Sequence, residues 1–356
     1  MNIKGTFIFH RVGQGLFYSG CLQTPDNKVF SFVYDCGCLG SKPSLTEAVK
    51  LYRKTSRINS SKKLHLLILS HLHADHINGL KELLKDDVKV DTMVIPYFSE
   101  DSKQIARIGS DRRDRFLQRF YDDPFDLPVR RILIIGTPES EQNTGEQNFT
   151  IDTDEPSGQA RLYAGNHVAV NYRQLWKFSF ENMPFPQSEI DSYVKWLLAQ
   201  GSGRSLGDLL QDTKFVRNLR KETKNTFHTS CAKSLINRTS VMMLHNPITE
   251  GLHEKRCKTF LTGDVELCCG DSVTIIDEIS QSQKHDLLVL QYPHHGGYCG
   301  CMRRFLNLQA KYSVLSYGLK NRYGHPNSDV ISALNAMRTV TVHVNEGRCF
   351  CYGIIA

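Results

Sequence analysis

Apolar positions along the first forty residues come in short alternating or continuous runs broken by glycine. GTFIFHRV, LFYSGCL and KVFSFVYDCG follow one another around the turn GQG and read as strands. SLTEAVKLYRK then switches to helical spacing, with Ser44 and Thr46 as candidate caps. HLLILS reverts to a short buried strand. INGLKELLKD places Ile77, Leu80, Leu83 and Leu84 on one helical face, and VDTMVIPYF is another strand. This rhythm predicts an α/β sheet protein. From about 98 to 235 the pattern turns charged and irregular (TPESEQNTGEQN, TDEPSGQ), closing with two predicted helices, SEIDSYVKWLLAQ and SLGDLLQDTKFVRNLRK. Strand alternation returns in SVMMLHN, KTFLTGD, HDLLVLQYPHH, AKYSVLSYG, TVTVHV and CFCYGII. The economical reading is one domain over 1–356 interrupted by an insertion at 98–235, without an internal repeat.

Composition narrows the class. Forty per cent apolar and 23% charged residues in 356 describe a folded chain, not a disordered one. No run approaches the roughly 20 apolar residues of a membrane span, and MNIKGTFIFHRVGQG lacks the apolar core of a secretion signal. A cytoplasmic location without membrane association is expected. The 11 cysteines are odd in number and include close neighbours (Cys36/Cys38, Cys268/Cys269, Cys299/Cys301), so they read as reduced thiols. A structural zinc on Cys299, Cys301, Cys349 and Cys351 is a competing reading, disfavoured because C-x-C is shorter than the usual zinc pair.

The net charge of +7 is concentrated: residues 213–238 hold seven Lys/Arg against one Glu, and 301–322 hold five basic residues and no acid. Such stretches suit a polyanionic partner, through counterion release on phosphate neutralisation. The competing reading is a solvated helix face.

Candidate chemistry centres on SHLHADH. The preceding strand delivers its histidines at the carboxyl end, where α/β proteins gather their sites. Extended backbone sends His71 and His73 to the same side, while Asp75 and His76 fall at the turn into the next helix. One loop cannot complete two coordination spheres. Further donors follow at strand ends: Asp264 at the end of KTFLTGD, and His294 and His295 in HDLLVLQYPHHGG. A lone Asp after a strand is usually a turn residue and a His pair is often structural; their joint occurrence downstream of HLHADH favours a site.

SHLHADH resembles the H-x-H-x-D-H signature of the metallo-β-lactamase superfamily, and VYDCG its short D-x-G element. NRTSVMML, FLTGD, LQYPHHGG and VLSYGLKNRYGHP, in that order, resemble the DNA-uptake competence (ComEC-like) branch. The similarity covers 5–97 and 236–354. It implies a four-layer αββα fold, here with a central insertion, and two divalent metal ions, zinc or manganese, at the edge of two facing sheets. By position His71, His73, Asp75 and His76 match the signature ligands, and Asp264 matches the bridging aspartate. His294 or His295 matches the late histidine, and Asp35 the acid behind the ligand loop. One departure stands out: where many relatives carry a G-H-T histidine, this chain has Asn237, Arg238 and Thr239. A ligand-poor first position, weaker binding or a manganese preference follows from it.

Paired metals serve lactams, thioesters and phosphodiesters alike, so fold does not settle substrate. The basic stretches, the loop SYGLKNRYGHP and the branch resemblance all lean towards phosphodiesters. In that loop Lys320, Arg322 and Tyr323 are candidate substrate contacts. His325 is a candidate general acid or a further ligand, set against a bland role as helix cap. The expectation is a metal-dependent phosphodiesterase, a nuclease using metal-activated hydroxide, with Asp75 and His325 in catalysis and nucleic acid or a nucleotide as partner. Two other classes stay open: a small-molecule hydrolase of thioester or lactam type, and a non-catalytic metal-stabilised binding module in a defence or signalling assembly.

Overall fold

In the computed structural model the described residues are 3–40, 42–109, 119–120, 122–136, 148–151, 159–183, 187–201, 203–222, 236–248, 256–267, 271–281, 287–298 and 302–356. The strands, in chain order, are β1 (Lys4–Phe9), β2 (Phe17–Gln23), β3 (Val29–Cys36), β4 (Lys63–Ile68), β5 (Lys89–Pro96) and β6 (Val129–Ile135). Next come β7 (Asn148–Ile151), β8 (Ala160–Ala164), β9 (His167–Tyr172), β10 (Trp176–Glu181) and β11 (Met242–Pro247). The last are β12 (Lys258–Leu261), β13 (Leu287–Gln291), β14 (Tyr312–Ser316), β15 (Val340–Val344) and β16 (Phe350–Ile355).

They form two sheets of eight, in the orders β16-β1-β2-β3-β4-β5-β6-β8 and β15-β14-β13-β12-β11-β10-β9-β7. The first sheet is antiparallel from β16 to β3 and parallel from β3 to β8; the second is parallel from β15 to β12, antiparallel from β12 to β9, and parallel again where β7 pairs with β9. Alternation decides which face is which. In β1, Phe7 and Phe9 turn inward while Lys4 and Thr6 stay exposed. Phe7, Tyr18 and Phe32 of the first sheet pack on Trp176, Phe178 and Val289 of the second to fill the space between them.

Helices cover both outer faces. Lys42–Thr55 lays Leu45, Val49 and Tyr52 on the first sheet, and Thr274–Gln281 lays Ile275, Ile276 and Ile279 on the second. The result is mixed α/β with two large sheets between helical layers, as the sequence predicts. No helix of the described residues is long and apolar enough to cross a membrane.

Several local expectations are revised. The first long helix opens at Lys42, so Ser44 and Thr46 sit inside it and not at its cap. INGLKELLKD forms no single helix. It breaks into the turns Ala74–Ile77 and Leu80–Leu83 at Gly79, whose N–H donates to the Cys36 carbonyl at 2.8 Å. A Cβ on Gly79 would lie 2.7 Å from that oxygen, so the close approach requires glycine. The predicted face still holds: Ile77, Leu80, Leu83 and Leu84 are all buried. SLGDLLQDTKFVRNLRK likewise splits at Asp212, whose carboxylate accepts from the backbone N–H groups of Lys214 and Phe215 and starts a second helix.

The stretch 98–235 supplies β6 and β8 to the first sheet and β7, β9 and β10 to the second. Its helices Gln187–Gln200, Leu206–Gln211 and Thr213–Glu222 share a smaller core with Ile105, through Tyr193, Leu197, Leu210 and Val216. Residues 223–235, half of the first basic stretch, lie outside the described residues, as do Cys268, Cys269, Cys299 and Cys301. Cys349 and Cys351 are free and exposed at β16.

Candidate metal centre

The chemistry gathers where the parallel strands of both sheets end. β3 delivers Asp35 and β4 leads into His71, while β12 leads into Asp264 and β13 into His295. Two facing sheets, each parallel at this end, therefore bring sequence-distant tips together. The backbones meet closely enough to demand small residues. A Cβ on Gly263, whose φ is +56°, would lie 2.7 Å from the Ser70 Cβ. One on Gly37 would lie 2.6 Å from the Asp75 carbonyl oxygen. Gln291 clamps the turn before Asp264: its Oε1 accepts from Thr262 N at 2.8 Å and Gly263 N at 2.9 Å.

His76 Nε2 lies 3.3 Å from Asp264 Oδ1, and His71 Nε2 3.8 Å from Asp264 Oδ2. His295 Nε2 stands 3.4 Å from both Asp75 Oδ2 and Asp264 Oδ2. His73 joins through Nδ1, 3.1 Å from His71 Nε2. Among the described residues, two groups have ligand atoms all within 4.8 Å of one another: His71, His76 and Asp264, and Asp75, His76 and His295.

Behind this front His76, His71 and His295 are each anchored by the other nitrogen. His76 Nδ1 faces Asp35 Oδ2 at 2.7 Å, His71 Nδ1 faces Ser70 Oγ at 3.0 Å, and His295 Nδ1 donates to the Ser316 carbonyl at 2.8 Å. Asp35 also accepts from Ser70 N at 2.7 Å and Ser70 Oγ at 2.6 Å. Nδ1 held and Nε2 presented is the outer support that orients metal-binding histidines.

The electrostatics tell the same story. Burial opposes charge on His76, yet Asp264 and Asp35 hold its pKa well above the ordinary value. Burial likewise opposes charge on His295, but Asp264 and Asp75 push it up to about 10. Burial would raise Asp264; His295 and His76 instead hold it well below the carboxylate range. Burial drives His71 and His73 down, leaving neutral imidazoles with lone pairs to share.

A divalent cation fits this donor set. His76 Nε2, Asp264 Oδ1 and His295 Nε2 are buried without a hydrogen-bond partner, an expensive arrangement unless an ion satisfies them. Imidazole and carboxylate are the donors zinc and manganese take.

The remaining candidates fall around this cluster. Of the two late histidines, His295 turns into the carboxylates, whereas His294 Nδ1 lies 3.4 Å from Glu266 Oε1 and its ring 5.1 Å from that of His325. His325 sits 6.2 Å from His295 by ring centroids. Burial and the neighbouring His294 and His295 lower its pKa to about 4. Asn327, not His325, caps the helix Ser328–Ala336. Lys320, Arg322 and Tyr323 are exposed on the loop leading to it, and the Tyr323 ring stacks on His325 at 6.0 Å.

That loop is organised from within by Asn321. Its Oδ1 accepts from Tyr323 N and His325 N, and its Nδ2 donates to the carbonyls of Gly318 and His325. Sequence reasoning passed over Asn321, Gln291 and Glu266; GDVE, with Glu266 two residues beyond Asp264, was the one local signal available.

Residues 26–141 match the family described as the metallo-beta-lactamase superfamily. No curated protein matches the chain. Among solved structures, the metallo-beta-lactamase fold protein YhfI from Bacillus subtilis is 12% identical, with 98% of this chain and 100% of that one covered, at a TM-score of 0.38. A diphosphatase from the PhnP family is 9% identical, with 100% of both chains covered, at 0.39. Unliganded yeast PDE1 is 10% identical, with 98% of this chain and 99% of that one covered, at 0.41. Over residues 26–141 the chain is thus similar in sequence to the metallo-beta-lactamase superfamily, and its two large sheets with helices are consistent with that fold.

Proposed function

We propose that this chain is a divalent-cation-dependent phosphodiester hydrolase acting on nucleic acid. The observation that carries the reading is the junction of two features: buried, partnerless ligand atoms at the tips of both sheets, and beside them an exposed loop presenting Lys320, Arg322 and Tyr323. His71, His73, Asp75, His76, Asp264 and His295 are the residues to hold two cations. Such ions, zinc or manganese, supply Lewis acidity: they make water a nucleophile near neutral pH and offset charge on the attacked phosphoryl group.

The chain's own groups divide the rest of the work. Asp35 and Ser70 fix the ligand loop. Lys320 and Arg322 attract and orient the phosphate backbone, and the exposed Tyr323 face offers a base something to stack on. His325 is held neutral, so it begins as a hydrogen-bond acceptor or further ligand. It becomes the proton donor to a leaving oxygen once a bound phosphate raises its pKa. The resemblance of the serial motifs to the DNA-uptake competence branch agrees with a nucleic-acid substrate.

The test is a hydrolysis screen with manganese or zinc on bis-p-nitrophenyl phosphate, single-stranded DNA, duplex DNA and RNA, run alongside metal analysis. Cation-dependent turnover of a phosphodiester that falls at least about a hundredfold in Asp264→Ala is expected. A chain that binds both ions and cleaves none of the four overturns the assignment.

A further inference from the structure

Next to the metal centre, a cavity of about 320 Å³ lies on the outer face of the first sheet, at the carboxyl ends of β5, β6 and β8. Leu72, Ile95, Ile132 and Ile134 form its floor, and all four belong to the outer-face apolar cluster rather than the core between the sheets. Phe98 and Phe120 wall it with buried rings, and Tyr97 and Tyr163 line it with partly exposed ones. Ile134 stays partly exposed although β6 has a strand on each side, because the cavity lies over it.

The cavity adjoins the ligand loop directly. Leu72 stands between His71 and His73, and extended backbone sends it to the side opposite theirs. Leu69 N donates to the Val94 carbonyl at 3.0 Å, so β4 and β5 stay paired up to the start of that loop. His73 and Ala74 are partly exposed, and Ala74 packs on the same apolar cluster as the cavity floor. The loop is thus least covered beside the cavity.

The lining's charge describes what fits. Two cations, Lys103 and Arg161, stand against two carboxylates, Glu100 and Asp122. Lys103 Nζ pairs with Glu100 Oε1, and Arg161 Nη2 donates to Asp123 Oδ1 at 2.7 Å with its guanidinium 5.0 Å over the Phe125 ring. Cations engaged in this way leave no surplus charge for a phosphate. An uncharged group with flat apolar faces and a polar edge suits the space, whose volume is at the small end of ligand pockets.

We propose that this cavity receives one nucleobase of the substrate, turned out of the strand, while the phosphates stay at the metals and at Lys320 and Arg322. The inference rests on the phosphodiesterase reading above and deepens it by naming the substrate's strandedness. Every base has a π-face that aromatic walls accept regardless of sequence. A base within a duplex enters such a pocket only after unpairing and unstacking, whereas a single strand avoids most of that cost. Single strands are therefore the preferred substrate.

The experiment follows binding of the four deoxynucleosides to the zinc-loaded full chain by saturation-transfer NMR, in the parent, Ile134→Trp and Tyr163→Ala. Deoxynucleosides lack phosphate, so their binding reads the base pocket apart from the cations. The parent is expected to bind at least one of them through its base protons. Ile134→Trp fills the cavity and is expected to weaken that binding about tenfold or more, with a similar drop in kcat/KM on single-stranded DNA, while bound metal stays parental. Tyr163→Ala weakens both in the same direction and carries the test if Ile134→Trp does not fold. A parent that binds no deoxynucleoside, or variants that bind as the parent does, overturns the base pocket and leaves phosphodiester hydrolysis standing. Deoxynucleoside binding lost in the variants of a chain that cleaves no phosphodiester supports the pocket and overturns the hydrolase alone.

Discussion

Asp35 shows how much a single side chain sustains here. It is fully buried at the end of β3, in a left-handed conformation (φ 56°) that only a strongly determined non-glycine residue keeps. Burial pushes its carboxyl pKa up while His76 and Ser70 pull it back. Asp35→Asn keeps the shape but removes the charge opposite His76 Nδ1. The expected outcome is a 10- to 100-fold loss of metal affinity, with about 3 kcal/mol of stability lost from the broken buried pair, read by calorimetric titration and denaturant unfolding. Unchanged metal affinity with lowered stability reduces Asp35 to a folding role. His294 and His295 separate in the same way. Both adopt positive φ, 51° and 55°, but only His295 turns its Nε2 to Asp75 and Asp264. His295→Ala is expected to lose bound metal, and His294→Ala to retain the parental stoichiometry by elemental analysis; the reverse result exchanges their roles.

At the scale of elements, legibility followed burial. β1 to β5 and β11 to β16 announced themselves because one or both faces are apolar, and the ligand positions were visible because they lie at those strands' ends. β6, Val129–Ile135, went unread within the irregular stretch: VRRILII carries two arginines after its first residue, which suit a solvated loop. Their reason is tertiary. Asp91 of β5, 6% exposed, accepts from Arg130 Nε at 2.7 Å and Arg131 Nη2 at 3.1 Å, with Lys63 of β4 3.9 Å away. No short sequence window contains that pairing, and the same holds for Gln291 with Gly263. Burial would raise the Asp91 pKa, but Arg130, Arg131 and Lys63 hold it below the ordinary value. A depressed folded pKa stabilises above the unfolded value, near 3.9, and that contribution vanishes as pH falls through the folded pKa. Asp91→Asn should therefore cost on the order of 2 kcal/mol at pH 7, with the gap from the parent closing below about pH 4. Denaturant melts across that range check it; a pH-independent gap means the loss is one of packing.

At the scale of the whole molecule, the centre exists only because two sheets are held face to face. Asp35 and the HLHADH loop belong to one, Asp264 and His295 to the other. Phe7 and Phe32 meet Trp176 and Phe178 between them, around a buried His245 that burial lowers to about 3 and so keeps neutral. The neutral interior leaves charge to the surface, where the net +7 of the chain becomes a long-range field. A field of this kind acts on a polyanion through every phosphate it spans, but on a one-phosphate substrate hardly at all. Raising salt from 50 to 200 mM is therefore expected to depress binding of single-stranded DNA steeply and turnover of bis-p-nitrophenyl phosphate little. If Lys320 and Arg322 each neutralise one phosphate, replacing both by Ala lowers the logarithmic salt slope on single-stranded DNA by about 1.4. Fluorescence anisotropy with a labelled strand over a salt series, using metal-loaded protein, measures both slopes. A double variant with the parental slope removes this loop from the substrate path, and equal salt responses of the two substrates remove the polyanion.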